Sequence, residues 1–182
     1  MAERRRIPDM DLATTLAVPA GWRRRGALDN GVLLSAVAPT SEATGILPAL
    51  RLVVTPVHVA AADWVAEELA ELFARLGALV VEHEESTLLD GPATFHRRVR
   101  HLRWGAVALT EQWGWLAHGL GFTLTASAAA AEHDGVAEVF AAVAASFAVG
   151  AAPGSGRPGQ SPEGRSSSDV TRAARDARSA TA

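Results

Sequence analysis

HRRVRHLRW, residues 96–104, places four arginines and two histidines in nine positions with no acidic residue among them. Such a run grips nucleic acid, gathers a metal, or crosses a sheet between strands that neutralise it. Its flanks decide between these. ATFHRRVRHLRW (93–104) follows a Leu-Asp-Gly-Pro turn and ends on Trp104-Gly105. ALVVEHEEST (78–87) precedes it, and AVALTEQWGWLA (106–117) and GFTLTAS (121–127) come after. Short segments rich in β-branched and aromatic residues, parted by glycine-containing turns, read as strands joined in hairpins. These four segments predict an antiparallel meander.

If Asp90 and Gly91 centre the first hairpin, the numbers of facing residues sum to roughly 180 or 181, so Glu82 lies near Arg98 and Glu84 near Arg97 or His96. The Trp104-Gly105 turn gives a sum of about 209 and sets Glu111 opposite Arg98. Opposite charges facing across strands contribute roughly 0.2–1 kcal/mol each. A phosphate-binding stripe needs uncompensated positive charge, because its affinity comes from counterions released as phosphates are neutralised. Carboxylates on both sides make this stripe an inner strand held in register. Residues 1–148 also hold 12 arginines against 17 acids, and an acidic body argues against a nucleic-acid partner. The rival reading, an anionic partner held by Arg23, Arg24 and Arg25 with the stripe and the basic tail, is the weaker one.

Upstream, LATTLAV (12–18) stops at the VPAGW bend, and GVLLSAVA (31–38) and ALRLVVT (49–55) are two further strands. The period then changes from 2 to 3.6. In ADWVAEELAELFARLG the residues Val65, Leu69, Leu72, Phe73 and Leu76 share one helical face, with Asp63 as N-cap and Gly77 just past the end. A second amphipathic helix fits 135–148, capped by Asp134. Three strands, a helix, four strands and a helix predict an α+β domain: an antiparallel sheet of about seven strands packed against two helices. Residues 1–10 read as an N-terminal arm and 11–149 as the domain. The glycine-, proline- and serine-rich segment 150–182 reads as a disordered tail, too polar to pack.

The inventory of chemistry is thin. The chain has no cysteine and no tyrosine, so thiolate nucleophiles, thiolate metal sites and disulfides are excluded. GSGRPG (154–159) matches G-x-G-x-x-G only formally, since Pro158 sits inside it and no strand precedes it. His83 and His96 come close across the first hairpin with Glu84 or Glu85 nearby, but the customary local zinc signatures are missing, and no metal and no cofactor are expected. His58, His118 and His133 read as single solvated residues. The N-terminal MAERRRIPDMDLATT lacks the apolar core of a signal peptide, which leaves the cytoplasm as the expected location. All seventeen basic residues are arginine, as high-GC bacterial coding bias produces.

Aromatic residues are the remaining candidates. Trp113 and Trp115 alternate along one face of their strand, and Leu120, Phe122 and Leu124 line one face of the next. Core is the first expectation for both sets, but two helices leave part of a two-faced sheet open. The candidate binding residues are Trp22, Trp104, Trp113 and Trp115, with Arg98 and Arg100.

VPAGW near the start, GPA before the stripe, EQWGW, GFTLTAS and the closing VFAAVAASF together resemble the PsbP-like superfamily, over residues 10–148 in order. Its bacterial members include DcrB-like and LpqN/LpqT-like proteins. The resemblance implies an antiparallel sheet with helices packed across it, and a protein that binds other proteins and catalyses nothing. Some bacterial relatives act as adaptors or chaperones for secreted proteins, and no catalytic residue transfers because the family has no catalytic motif. The export signal and lipidated cysteine of its lipoprotein members have no match here. The expectation is thus a cytoplasmic, non-catalytic interaction module with a protein partner, homodimerisation being left open. The alternative is a small-molecule or lipid-binding domain with a pocket between sheet and helix.

Overall fold

The computed structural model describes residues 2–6, 12–24, 31–40, 45–86 and 93–151. They belong to one compact unit, Met1–Ala152. The expected tail beyond Ala151, the GSGRPG stretch, Arg25 and the Asp90-Gly91 turn lie outside the described residues.

The elements are β1 (Ala2–Arg6), β2 (Leu12–Ala17), β3 (Arg23–Arg24), β4 (Val32–Val37), β5 (Ala49–Pro56), α1 (Ala61–Leu76), β6 (Leu79–Ser86), β7 (Ala93–Arg103), β8 (Ala106–Ala117), β9 (Leu120–Ala129), α2 (His133–Ala145) and β10 (Ala148–Ala151). Seven strands form one antiparallel sheet in the order β3-β4-β5-β9-β8-β7-β6, and the meander β6 to β9 makes up more than half of it. The fold is α+β, with α1 and α2 packed on the sheet. Membership differs from the expectation at one place. LATTLAV does not enter the main sheet; β2 is the middle of a separate three-stranded sheet between β1 and β10. The two-residue β3 is the seventh strand instead. Residues 2–6, within the expected arm, form β1, and β10 reaches Ala151.

Antiparallel partners point to the same side, so the register sorts the side chains by face. One row runs Leu52, Leu124, Trp113, His96, Glu85, and the next runs Leu50, Ala126, Glu111, Arg98, His83. Phe140, Val143 and Ala144 of α2 pack on this face with Leu34, Leu50, Leu52, Phe122 and Leu124, joined by Leu16 and Val18. The opposite face carries Arg51, Thr125, Gln112, Arg97 and Glu84 in one row and is covered by α1.

The buried stripe of α1 is Trp64, Val65 and Leu72, while Phe73, assigned to that stripe by period, is exposed. Neither expected cap is one. The N-cap of α1 is Ala60, with Asp63 in the first turn, and that of α2 is Glu132, with Asp134 in the first turn. Gly77 does close α1, at φ 76°, and its N–H bonds to the Phe73 carbonyl.

Two motif glycines have a packing role. A Cβ on Gly114 would run into the Phe95 ring, and one on Gly121 would lie 2.6 Å from Trp64 Cε2. Phe95 and Trp64, with ring centroids 5.5 Å apart, form the aromatic contact that seats α1 on the sheet. The glycines of EQWGW and GFTLTAS thus leave room for two rings against β8 and β9.

Candidate functional site

Glu111 is an acid in the middle of an apolar strand, and it is only 4% exposed. A carboxylate taken that far out of water must find donors. His133 at the start of α2 donates from Nε2 to Oε1 at 2.8 Å, and His96 on β7 donates from Nε2 to Oε2 at 2.8 Å. Arg98 NH2 lies 3.4 Å from Oε1. Burial alone would raise the Glu111 pKa, but the bonds from His133 and His96 and the Arg98 charge outweigh it and hold the carboxyl at about 2. A carboxylate only accepts, so both imidazoles carry their proton on Nε2. The His96 ring is fixed a second time by stacking on Trp113, with centroids 4.8 Å apart and planes 3° apart.

On the solvent side of His96 the edge strand adds two groups. A β-bulge between Val81 and His83 leaves Glu82 out of the pairing and places His83 opposite Arg98 and Glu85 opposite His96. Glu85 Oε1 lies 3.6 Å from His96 Nδ1, and Glu85 Oε2 lies 3.8 Å from His83 Nε2. The three ligand atoms all fall within 4.8 Å of one another.

Two further arginines of the stripe meet carboxylates of β6, while Arg103 stacks on Trp104. Arg100 pairs with Glu82 through Nε. Arg97 is fully buried under α1, donates to the Val65 carbonyl at 2.8 Å and lies 3.8 Å from Glu84. The register is the expected one on the β8 side, with Glu111 opposite Arg98, and on the β6 side for Glu84 and Arg97. The bulge sends Glu82 to Arg100 where Arg98 was expected.

The face under α1 holds a cavity of about 360 Å³ between the end of that helix and the sheet, with Ser35, Thr110, Thr125 and Ser127 among its lining residues. Arg51 and Arg75 also line it. Neither makes an ion pair among the described residues. Burial, and next the neighbouring Arg51 charge, lower the Arg75 pKa.

The six candidate binding residues do not come together. Trp115 is buried in the core against Phe147, and Trp113 is half-buried beneath His96. Trp22 stands edge-on to Phe140 at 6.3 Å and anchors the VPAGW bend. Arg98 and Arg100 are engaged by Glu111 and Glu82. Trp104 alone is open, 78% exposed in the β7–β8 turn at φ 51°. Beside it Leu102 is 69% exposed, facing Val107, and Val80 is 63% exposed on β6. Residue patterns missed His133, read as a solvated histidine and found 1% exposed. The signal for it was Glu111, whose place in an apolar strand demanded a buried donor.

No protein-family model matches the chain, and no curated protein matches it in sequence. Solved structures do match its fold. LpqN of Mycobacterium tuberculosis, involved in cell envelope biogenesis, shares 13% identity at a TM-score of 0.62, over 82% of this chain and 90% of that one. Cyanobacterial PsbP from Synechocystis shares 17% at 0.57, over 82% and 92%. The Ran-binding protein Mog1p of Saccharomyces cerevisiae shares 11% at 0.51, over 81% and 95%. The chain has the PsbP-like fold.

Proposed function

We propose that the protein is a non-catalytic interaction module that takes an extended polypeptide strand along β6. The carrying observation is an edge left open among the described residues: β6 ends the seven-stranded sheet and is exposed over nearly all its length, with Val80, Leu102, Val107 and Trp104 exposed near its start. An open sheet edge supplies backbone hydrogen bonds to an added strand, and neighbouring apolar side chains supply the contact area. Exposed carboxylates of Glu84 and Glu85 on that edge suit a partner bearing basic residues. In its finer form the partner is a polypeptide bound for secretion, and the module is its cytoplasmic adaptor or chaperone. Support comes from two proteins of the same fold, one described as Ran-binding and one as involved in cell envelope biogenesis. The test is capture from the native host by chain carrying a photocrosslinker at Val80. A defined polypeptide, lost on combining Leu102→Ser with Trp104→Ala, is expected. Identical capture by that variant, or only crosslinks between copies of the chain, sinks this reading.

A second reading rests on the cavity under α1. Two arginines that repel one another and line a concave, hydroxyl-floored space make a receptor for a small anion. A carboxylate or phosphate ester is the chemistry it fits.

A further inference from the structure

Among the described residues, one cluster of nitrogen and oxygen donors has the spacing of metal ligands. His83, Glu85 and His96 meet at the solvent edge of the sheet, where the first two are exposed and the third is half-buried. The fold brings them there by two devices. Strand alternation puts His83 and Glu85 on the same side of β6, and the bulge before His83 brings that side into line with His96 on β7.

The protonation of His96 makes the arrangement informative. Its Nε2 hydrogen is committed to the buried Glu111 carboxylate at 2.8 Å. In the neutral ring, Nδ1 therefore presents a lone pair, and what it faces is a carboxylate oxygen of Glu85 at 3.6 Å. Lone pair against anion is repulsive unless a cation, a second ring proton or a metal ion, lies between them. The charges nearby favour one: Glu85 and Glu111 are negative, and Arg98, which contacts Glu111 at 3.4 Å, offsets only one of them. A histidine that donates one ring N–H to a carboxylate while the other nitrogen points outward is the arrangement that orients metal-bound imidazole and raises its basicity. Stacking on Trp113 holds the ring in that pose before any ion arrives.

We infer that His83 Nε2, Glu85 and His96 Nδ1 form a binding site for a divalent transition ion of the zinc class, with Glu111 as the positioning carboxylate behind His96. Two imidazoles and one carboxylate are borderline ligands that suit Zn²⁺, and they are too few oxygens for Mg²⁺ or Ca²⁺. Ligand atoms around a tetrahedral zinc stand roughly 3.4 Å apart, given bonds of about 2.0–2.2 Å. Glu85 stands 3.6 Å from His96 Nδ1 through one oxygen and 3.8 Å from His83 Nε2 through the other, and the ligand atoms lie within 4.8 Å of one another, so closing on an ion takes a contraction that exposed side chains on an edge strand can make. Three protein ligands leave one position open to water or to a donor from outside. The inference does not depend on the partner proposed above.

The experiment is calorimetric titration of the untagged full chain with Zn²⁺ alone, and with Co²⁺ followed by its visible absorption. One ion per chain is expected, unaffected by excess Mg²⁺. His83→Ala and Glu85→Gln each weaken binding at least about 10-fold, as loss of one of three ligands requires, while His118→Ala, at the exposed β8–β9 turn, leaves it unchanged. Glu111→Gln, its fold verified by circular dichroism, weakens binding about 10–100-fold through His96. Absence of saturable binding, or wild-type affinity in His83→Ala, overturns the assignment.

Discussion

Glu111 Oε1 and His133 Nε2 stand 2.8 Å apart, and this contact ties the centre of the sheet to the first turn of α2. Its pH dependence follows from the carboxyl, which titrates at about 2 in the fold against an ordinary 4.5. A depressed carboxyl stabilises fully above its unfolded value, and that contribution disappears as pH falls through the folded one. The difference is on the order of 3 kcal/mol. Urea unfolding in chelator should show stability declining as pH is lowered from 4.5 towards 2. Glu111→Gln should be weaker at pH 7 and flatter through that interval. A wild-type midpoint that ignores pH there contradicts the buried network.

Gly114→Ala should destabilise the protein by about 1–3 kcal/mol, because the added methyl meets the Phe95 ring in a well-packed layer. Pairing it with Phe95→Leu should restore part of the loss. Thermal melts of the two single variants and the double settle the matter, and additive losses would count against the contact.

The tryptophans should separate cleanly in their energetic roles. Trp115→Ala removes a core ring and should cost about 3–5 kcal/mol. Trp104→Ala, at an open turn, should change stability by less than about 0.5 kcal/mol. Denaturant titration of both variants is the measurement.

For the cavity under α1, inorganic phosphate should raise the melting temperature of the wild-type chain in a saturable way. In the Arg51→Ala, Arg75→Ala double variant the response should vanish while the starting stability holds or rises, since two repelling charges are gone. A phosphate effect of equal size in the variant assigns it to general ion exclusion.

The meander was legible because turns, alternation and charge complementarity all pointed to one register, and Glu111 against Arg98 is the register found. What escaped was non-local. Nothing within LATTLAV distinguishes a strand of the large sheet from the middle strand of a small one, since its partners arrive from both ends of the domain. The bulge at Val81/His83 has no glycine to announce it, so the Glu82 partner was misplaced by one pair. His133 looked solvated because its acceptor lies on a strand distant in sequence. Trp113 and Trp115 offered size and alternation, which do not say whether a helix covers them; α2 and Phe147 do.

In the small sheet, Arg5 and Val149 flank the same residue, Thr14. Two strand spacings put their backbones roughly 10 Å apart. The two ends of the folded body are therefore near enough to be sewn together, and a linker of about six to eight residues from Ala151 to Ala2 spans the offset along the ribbon. Cut open at the exposed His118-Gly119 turn, such a circularly permuted chain should keep its native circular dichroism. A version ending at Phe147 should not, because β2 then has lost one of its two ladders and faces water as a raw edge.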